Sequence, residues 1–169
     1  MRRVLVLAML VATTVVVQVA LMPQLRLFGV VPDLGLVLAI AVAYHDGAET
    51  AAIVGFLTGV GFDLFLRTPV GTSALAYAVT GYLAGLLQTG LIRANRWMPL
   101  LLGALGGLVG GLLFVAVAIL AGTDALISSG TLATVAKAAL FDAVLSPFVF
   151  PIVEHTLPER SPAASPWRS

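Results

Sequence analysis

The sequence predicts an all-α polytopic membrane protein, a six-transmembrane-helix bundle with its N and C termini both in the cytoplasm (N-in/C-in). Three observations predict it. Hydrophobic residues make up 60% of the 169-residue chain and charged residues 10%, where a soluble domain carries about 25% charged residues. Apolar runs follow one another from Val4 to Val153 with short polar turns between them, most of them near the roughly 20 residues that a bilayer core requires. With the N terminus inside, six spans put Arg2, Arg3, Arg93, Arg96, Arg160 and Arg168 on the cytoplasmic side. That leaves Arg26 and Arg67 outside, the asymmetry of the positive-inside rule.

Each element follows from its punctuation. Arg2 and Arg3 precede a first span over residues 4–22, ended by Pro23. This run exceeds the 7–15-residue core of a signal peptide and lacks a small-residue cleavage site, so it reads as a retained helix, with a cleaved signal as the minor alternative. The second apolar stretch is interrupted at Val31-Pro32-Asp33. Proline suits the first helical turn and an acid beside it complements the helix dipole, so the second helix is expected to start at Pro32. Its length, about 20 Å, is short for a bilayer. Either it extends past His45 or residues 27–31 enter the membrane as protein-covered irregular backbone. The third to sixth spans are expected over residues 48–66, 70–92, 98–121 and 132–153, with Trp97 at an interface and Pro147 and Pro151 bending the last. Residues 1–157 thus form one transmembrane domain, and residues 158–169, rich in Pro and Ser, a short disordered cytoplasmic tail.

Composition excludes several functions. There is no cysteine, hence no disulfide, thiolate nucleophile or Cys-ligated metal. A net charge of +1 argues against a nucleic-acid surface. No phosphate-binding glycine loop, H-E-x-x-H or G-x-S-x-G motif is present, and His45 and His155 have no acid–nucleophile constellation. Ser73 is expected to bond backbone at the start of the fourth helix. The chain reads as a non-enzyme without cofactors.

Four ionisable residues fall in or beside apolar runs: Asp33, Asp63, Lys137 and Asp142. The helix directions bring Asp33, Asp63 and Lys137 to one depth near the outer side. Asp63, in a last turn, opposes the helix dipole and needs a compensating partner. Either Arg67 four residues on supplies it, or Asp63 joins Asp33 and Lys137 in a network locking the second, third and sixth helices. Lys137 can snorkel outward. Asp142 sits near the centre of its span, where an ionised acid costs about 2.5–3.5 kcal/mol, and lies off the face of Lys137. Its neighbours are expected among Ser146, Tyr44, Tyr77, Thr80 and Tyr82. Asp46 is placed in a solvated inner turn. Gly103, Gly107 and Gly111 repeat every four residues, as do Gly55/Gly59 and Gly81/Gly85. Such spacing lets helix backbones approach closely, inside the bundle or against a partner's membrane helix.

The order of Val31-Pro32-Asp33-Leu34, Gly55-Phe56-Leu57-x-Gly59-x-x-x-Asp63, Pro69-x-Gly71, Gly81-Tyr82-Leu83-Ala84-Gly85 and Ala143-x-x-Ser146-Pro147-x-x-Phe150-Pro151 resembles the rod shape-determining protein MreD family. Pro32, Asp33, Gly55, Gly59, Asp63, Gly81 and Pro147 match by position; at Asp142 the family more often carries Asn. The resemblance implies a non-enzymatic subunit of the cell-wall elongation machinery in the cytoplasmic membrane beside MreC. It also implies, as partners, a SEDS-type glycosyltransferase and a class B penicillin-binding protein, with membrane lipid around them and no nucleic acid. The family fold is similar to the substrate-binding subunits of energy-coupling-factor vitamin transporters, which supplies an alternative function. Ala8-x-x-x-Ala12 would then be a docking face.

Overall fold

The computed structural model describes residues 2–25, 29–65, 69–87, 97–122 and 130–157. Arg26, Arg67, Arg93, Arg96, Asp124 and the 158–169 tail lie outside the described residues. Among the described residues the chain is all-helical, with six α-helices and no strand. They are α1 (Arg2–Ala20), α2 (Leu34–Asp46), α3 (Ala48–Asp63), α4 (Thr72–Leu87), α5 (Met98–Leu120) and α6 (Thr131–Thr156), with a short 3-10 helix at Met22–Leu25. Helices α1, α5 and α6 are long and apolar enough to cross a membrane, α1 together with the 3-10 turn that follows it.

Helix α2 is the axis of the fold. Every residue from Gly35 to Ala43 is buried, so its surface is apolar on all sides, as for a helix with no exposed face. The other five helices surround it. Their outward faces carry exposed apolar side chains such as Val4, Ile53, Leu105 and Phe148, the arrangement of a bundle whose solvent is lipid.

Consecutive helices run in opposite directions. Arg3 at the start of α1 pairs with Asp46 at the end of α2. Tyr44 stacks at a tilt on Phe150 in the last third of α6, with ring centroids 5.6 Å apart. The start of α1 and the end of α6 therefore share one end of the bundle, called here the near end. Asp46, expected in a solvated turn, is buried, because that turn is folded under the start of α1. Gly47, at φ 83°, makes the tight reversal from α2 into α3 that only glycine adopts without strain.

The helix boundaries correct one expectation, the start of α2. Helix α2 starts at Leu34, not Pro32; Asp33 is its N-cap and accepts from Leu36 N–H at 3.1 Å. It does not extend past Asp46, and residues 29–33 are irregular backbone in which Val30 and Pro32 are buried. Helix α6 is continuous through Pro147 and Pro151.

The glycine repeats are packing faces. A Cβ on Gly55 would stand 2.6 Å from the Tyr77 carbonyl oxygen, and one on Gly81 2.9 Å from that of Ala51. Gly59 and Gly85 abut the backbone of Ala74 and Ala48, so α3 and α4 touch main chain to main chain. In α5, Gly103, Gly107 and Gly111 face Ser146, Ala139 and Val135 of α6, while Gly106 and Gly110 face Ile40 and Leu36 of α2. The stripe considered for a partner's membrane helix packs against this chain's own α6. Where apolar side chains gain little over lipid contact, such backbone approach is a main source of helix affinity.

Gly59→Val is expected to lower stability in detergent unfolding by about 2–4 kcal/mol through overpacking at Ala74. Leu57→Val, on the exposed face of α3, should change it by less than about 1 kcal/mol.

A buried polar layer as the candidate functional site

Starting a helix inside a membrane leaves its first N–H groups without partners, and lipid cannot supply them. Here two other helices and the N-cap Asp33 supply them. The Asp33 backbone N–H donates to Asp142 Oδ1 at 2.8 Å. Gln18, the one buried residue of α1, accepts from Leu34 N–H through Oε1 at 2.8 Å. Its Nε2 donates to the Pro32 carbonyl at 3.0 Å. The Asp33 carboxyl caps Leu36 through one oxygen and accepts from Tyr77 Oη at 2.5 Å through the other. One polar layer therefore joins α1, α2, α4 and α6 around the irregular Val31-Pro32-Asp33 step. Gly35 makes room for it: a Cβ there would lie 2.9 Å from both Thr58 and the Tyr77 ring.

A second cluster closes the α3–α4 turn. Asp63, the last residue of α3, is 1% exposed, in the position its own helix dipole disfavours. Its Oδ2 accepts from Gly71 N–H at 2.7 Å and Ala74 N–H at 3.3 Å, and its Oδ1 from Ser73 N–H at 3.1 Å. The compensation is thus the N terminus of α4, whose orphan donors and positive dipole end meet the carboxylate. Gly71, at φ 105°, turns the backbone so that its N–H faces this acid.

These contacts redistribute the expected roles. Asp33 and Asp63 belong to separate clusters. Lys137 is exposed on the outer face of α6 while Asp142 is buried on the inner one, so the expected Asp33–Asp63–Lys137 network is not formed: lysine and acids point to opposite sides. Of the hydroxyls considered for Asp142, Ser146 donates to its carbonyl at 2.7 Å, Thr80 to Ala76 O, and Tyr77 to Asp33. Tyr82 is exposed. The Ser73 hydroxyl has no partner among the described residues; Thr72 bonds the Pro69 carbonyl in its place. Asp142 Oδ2 lies 2.9 Å from a Cβ built on Gly107, so that glycine admits the carboxyl between α5 and α6. Sequence reasoning missed Gln18 and the Arg3–Asp46 pair. An amide near the end of an otherwise apolar span was the available signal for Gln18.

The layer is built from acceptors and amides that hold backbone in place. Among the described residues, no group of three or more His, Cys, Asp or Glu could hold a metal ion. Fold and site together define an all-helical protein with three helices apolar enough to cross a membrane, whose buried polar groups join its helices. The family model described as rod shape-determining protein MreD matches residues 1–156. The chain belongs to that family, a family of shape-determining membrane proteins, and this implies a role in rod shape determination within a complex with other proteins. No curated protein and no solved structure matches the chain.

Asp142→Asn keeps an oxygen for the Asp33 N–H and should stay within about 1 kcal/mol of the parent, whereas Asp142→Ala should cost about 1–3 kcal/mol in detergent unfolding. Equal losses for the two would show that the hydrogen bond is not what Asp142 contributes. For the near end, a cycle of Arg3→Ala and Asp46→Ala is expected to show coupling of at least about 0.5 kcal/mol. Strict additivity there would mean that the two side chains do not pair.

Proposed function

We propose that this protein is a non-enzymatic scaffold subunit of the bacterial cell-wall elongation complex, acting with MreC to control cell shape and lateral peptidoglycan synthesis. Its further partners are a SEDS-type glycosyltransferase and a class B penicillin-binding protein. It spans the cytoplasmic membrane six times with both termini in the cytoplasm, residues 1–157 forming the transmembrane domain and residues 158–169 a short disordered tail. The single observation that carries this reading is the family match over residues 1–156. The polar layer and the Asp63 cluster support it physically: Asp33, Asp142 and Asp63 each accept from backbone N–H. Such acids hold one helix arrangement in place, as a scaffold requires. Pro32, Asp33, Gly55, Gly59, Asp63, Gly81 and Pro147 are then residues of the fold on which the scaffold depends. Gly85, Gly103, Gly107, Gly111 and Asp142 serve the same end, and Lys137 faces the surroundings of α6.

The full-length protein, affinity-purified from native membranes of a rod-shaped host, should retain an MreC-type protein, and its depletion should make the cells round. Recovery of transporter ATPases with a bound vitamin, and unchanged cell shape, would replace this reading with that of an energy-coupling-factor subunit. Reporter fusions at the two termini should both report the cytoplasm.

A further inference from the structure

Among the described residues, Lys137 is the exposed charge set farthest from a helix end. It lies six residues, about 9 Å, from the start of α6 at Thr131. Arg2, Arg3, Glu49 and Glu154 all stand within two residues of an end. Helix α6 is about 39 Å long, and the hydrocarbon of a bilayer is about 30 Å thick. Only about 9 Å is left over for its two ends together. Lys137 therefore begins at the edge of the hydrocarbon or inside it. Among the described residues it makes no ion pair. The acids on its own helix are Asp142, buried on the opposite side, and Glu154, about 26 Å away along the axis. Helix α5, packed beside α6, carries no ionisable residue.

The helix also points this side chain toward the headgroups. Side chains of an α-helix lean toward its N terminus, so the four-carbon stem of Lys137 rises toward Thr131 and brings the ammonium to the membrane surface. Below it on the same face, three, seven and eleven residues on, stand Leu140, Val144 and Phe148. They are 66%, 55% and 68% exposed. From Lys137 to Phe148 this ridge runs through about 16 Å, about the depth of one leaflet's hydrocarbon. One face of α6 thus carries a cation at the level of lipid phosphate and an apolar track beneath it.

We propose that this face of α6 is a binding site for one anionic phospholipid, with its phosphate on the Lys137 ammonium and an acyl chain along Leu140, Val144 and Phe148. Charge complementarity selects the headgroup. A zwitterionic lipid already holds a cation beside its phosphate, so a protein ammonium gains less there than beside an anionic one. The site rests on α6 crossing a membrane and holds whichever partners the protein serves.

The chain has no cysteine, so Val144→Cys can carry a single bimane. Leu112→Cys, on the exposed and uncharged side of α5, carries a reference one. The labelled full-length proteins are reconstituted in mixtures of phosphatidylglycerol and phosphatidylcholine, one or the other bearing brominated acyl chains. Quenching of the bimane then gives the local preference for the anionic lipid. At position 144 the preference should be about fivefold, the effect of one lysine near the surface, and at position 112 about one. Lys137→Met should abolish the preference at 144, and Lys137→Arg should keep it. Asp124, in the connection before α6, lies outside the described residues; Asp124→Asn should leave the preference unchanged. Equal preference at the two positions, or one that survives Lys137→Met, overturns the proposal. So does a preference that appears only with Asp124→Asn, since that acid would then hold the lysine in the parent.

Discussion

One hydrogen bond organises this molecule: the Asp33 backbone N–H to the Asp142 carboxyl, 2.8 Å long and joining residues far apart in the chain. It exists because α2 begins within the bundle, where an unsatisfied amide costs about 1–3 kcal/mol or more. Once the chain departs from helix at residues 29–33, each exposed backbone group needs an internal partner. Gln18 from α1, Asp142 from α6 and the capping carboxyl of Asp33, itself held by Tyr77 of α4, are those partners. The polar layer is therefore a consequence of the helix break. It also joins helices that apolar packing in lipid holds only weakly.

The second constraint is close approach. Helices α3 and α4 meet through two pairs of glycines on opposing faces, with Gly55 and Gly59 against α4 and Gly81 and Gly85 against α3. Helix α5 divides its glycines between α6 and α2. Backbone contact on this scale leaves little room for one helix to slide past another, since any shift drives a carbonyl or a Cα into its neighbour. Polar layer and glycine faces thus act together: the first sets the depth of each helix, the second its distance and rotation.

A bundle held this way suits a role in rod shape determination. Asp33, Asp63 and Asp142 are engaged with backbone amides, and its outward surface is largely apolar, so what it offers a membrane complex is a shaped hydrophobic body. Helix α1 is the least enclosed of the long helices, with 11% of its apolar window buried. It is attached near its ends by Arg3–Asp46 and Gln18, and packs between them through contacts such as Val15 on Gly61. Polar fastenings near both ends let a peripheral helix keep its register while most of its surface stays available to lipid.

Much of this was legible in the chain itself. Composition and the spacing of apolar runs determined six helices, because lipid tolerates few alternatives, and the four-residue glycine repeats announced close packing because a missing side chain acts locally. The motif Val31-Pro32-Asp33 marked the break before α2 for the same reason. Partnership was not legible. Asp63 looked like a residue in need of Arg67 or Lys137, yet the α4 N terminus compensates it, because a turn folds those amides back onto the end of α3. Asp46 looked solvated, yet Arg3 meets it. Asp142 looked as though it needed a hydroxyl, yet it receives a backbone N–H from α2. Sequence alone determined which groups needed partners, since that depends on residue type and the solvent around it. Only the tertiary structure decided which partners they found, because backbone amides are present at every residue but proline and reveal their availability only once the helix ends have been brought together.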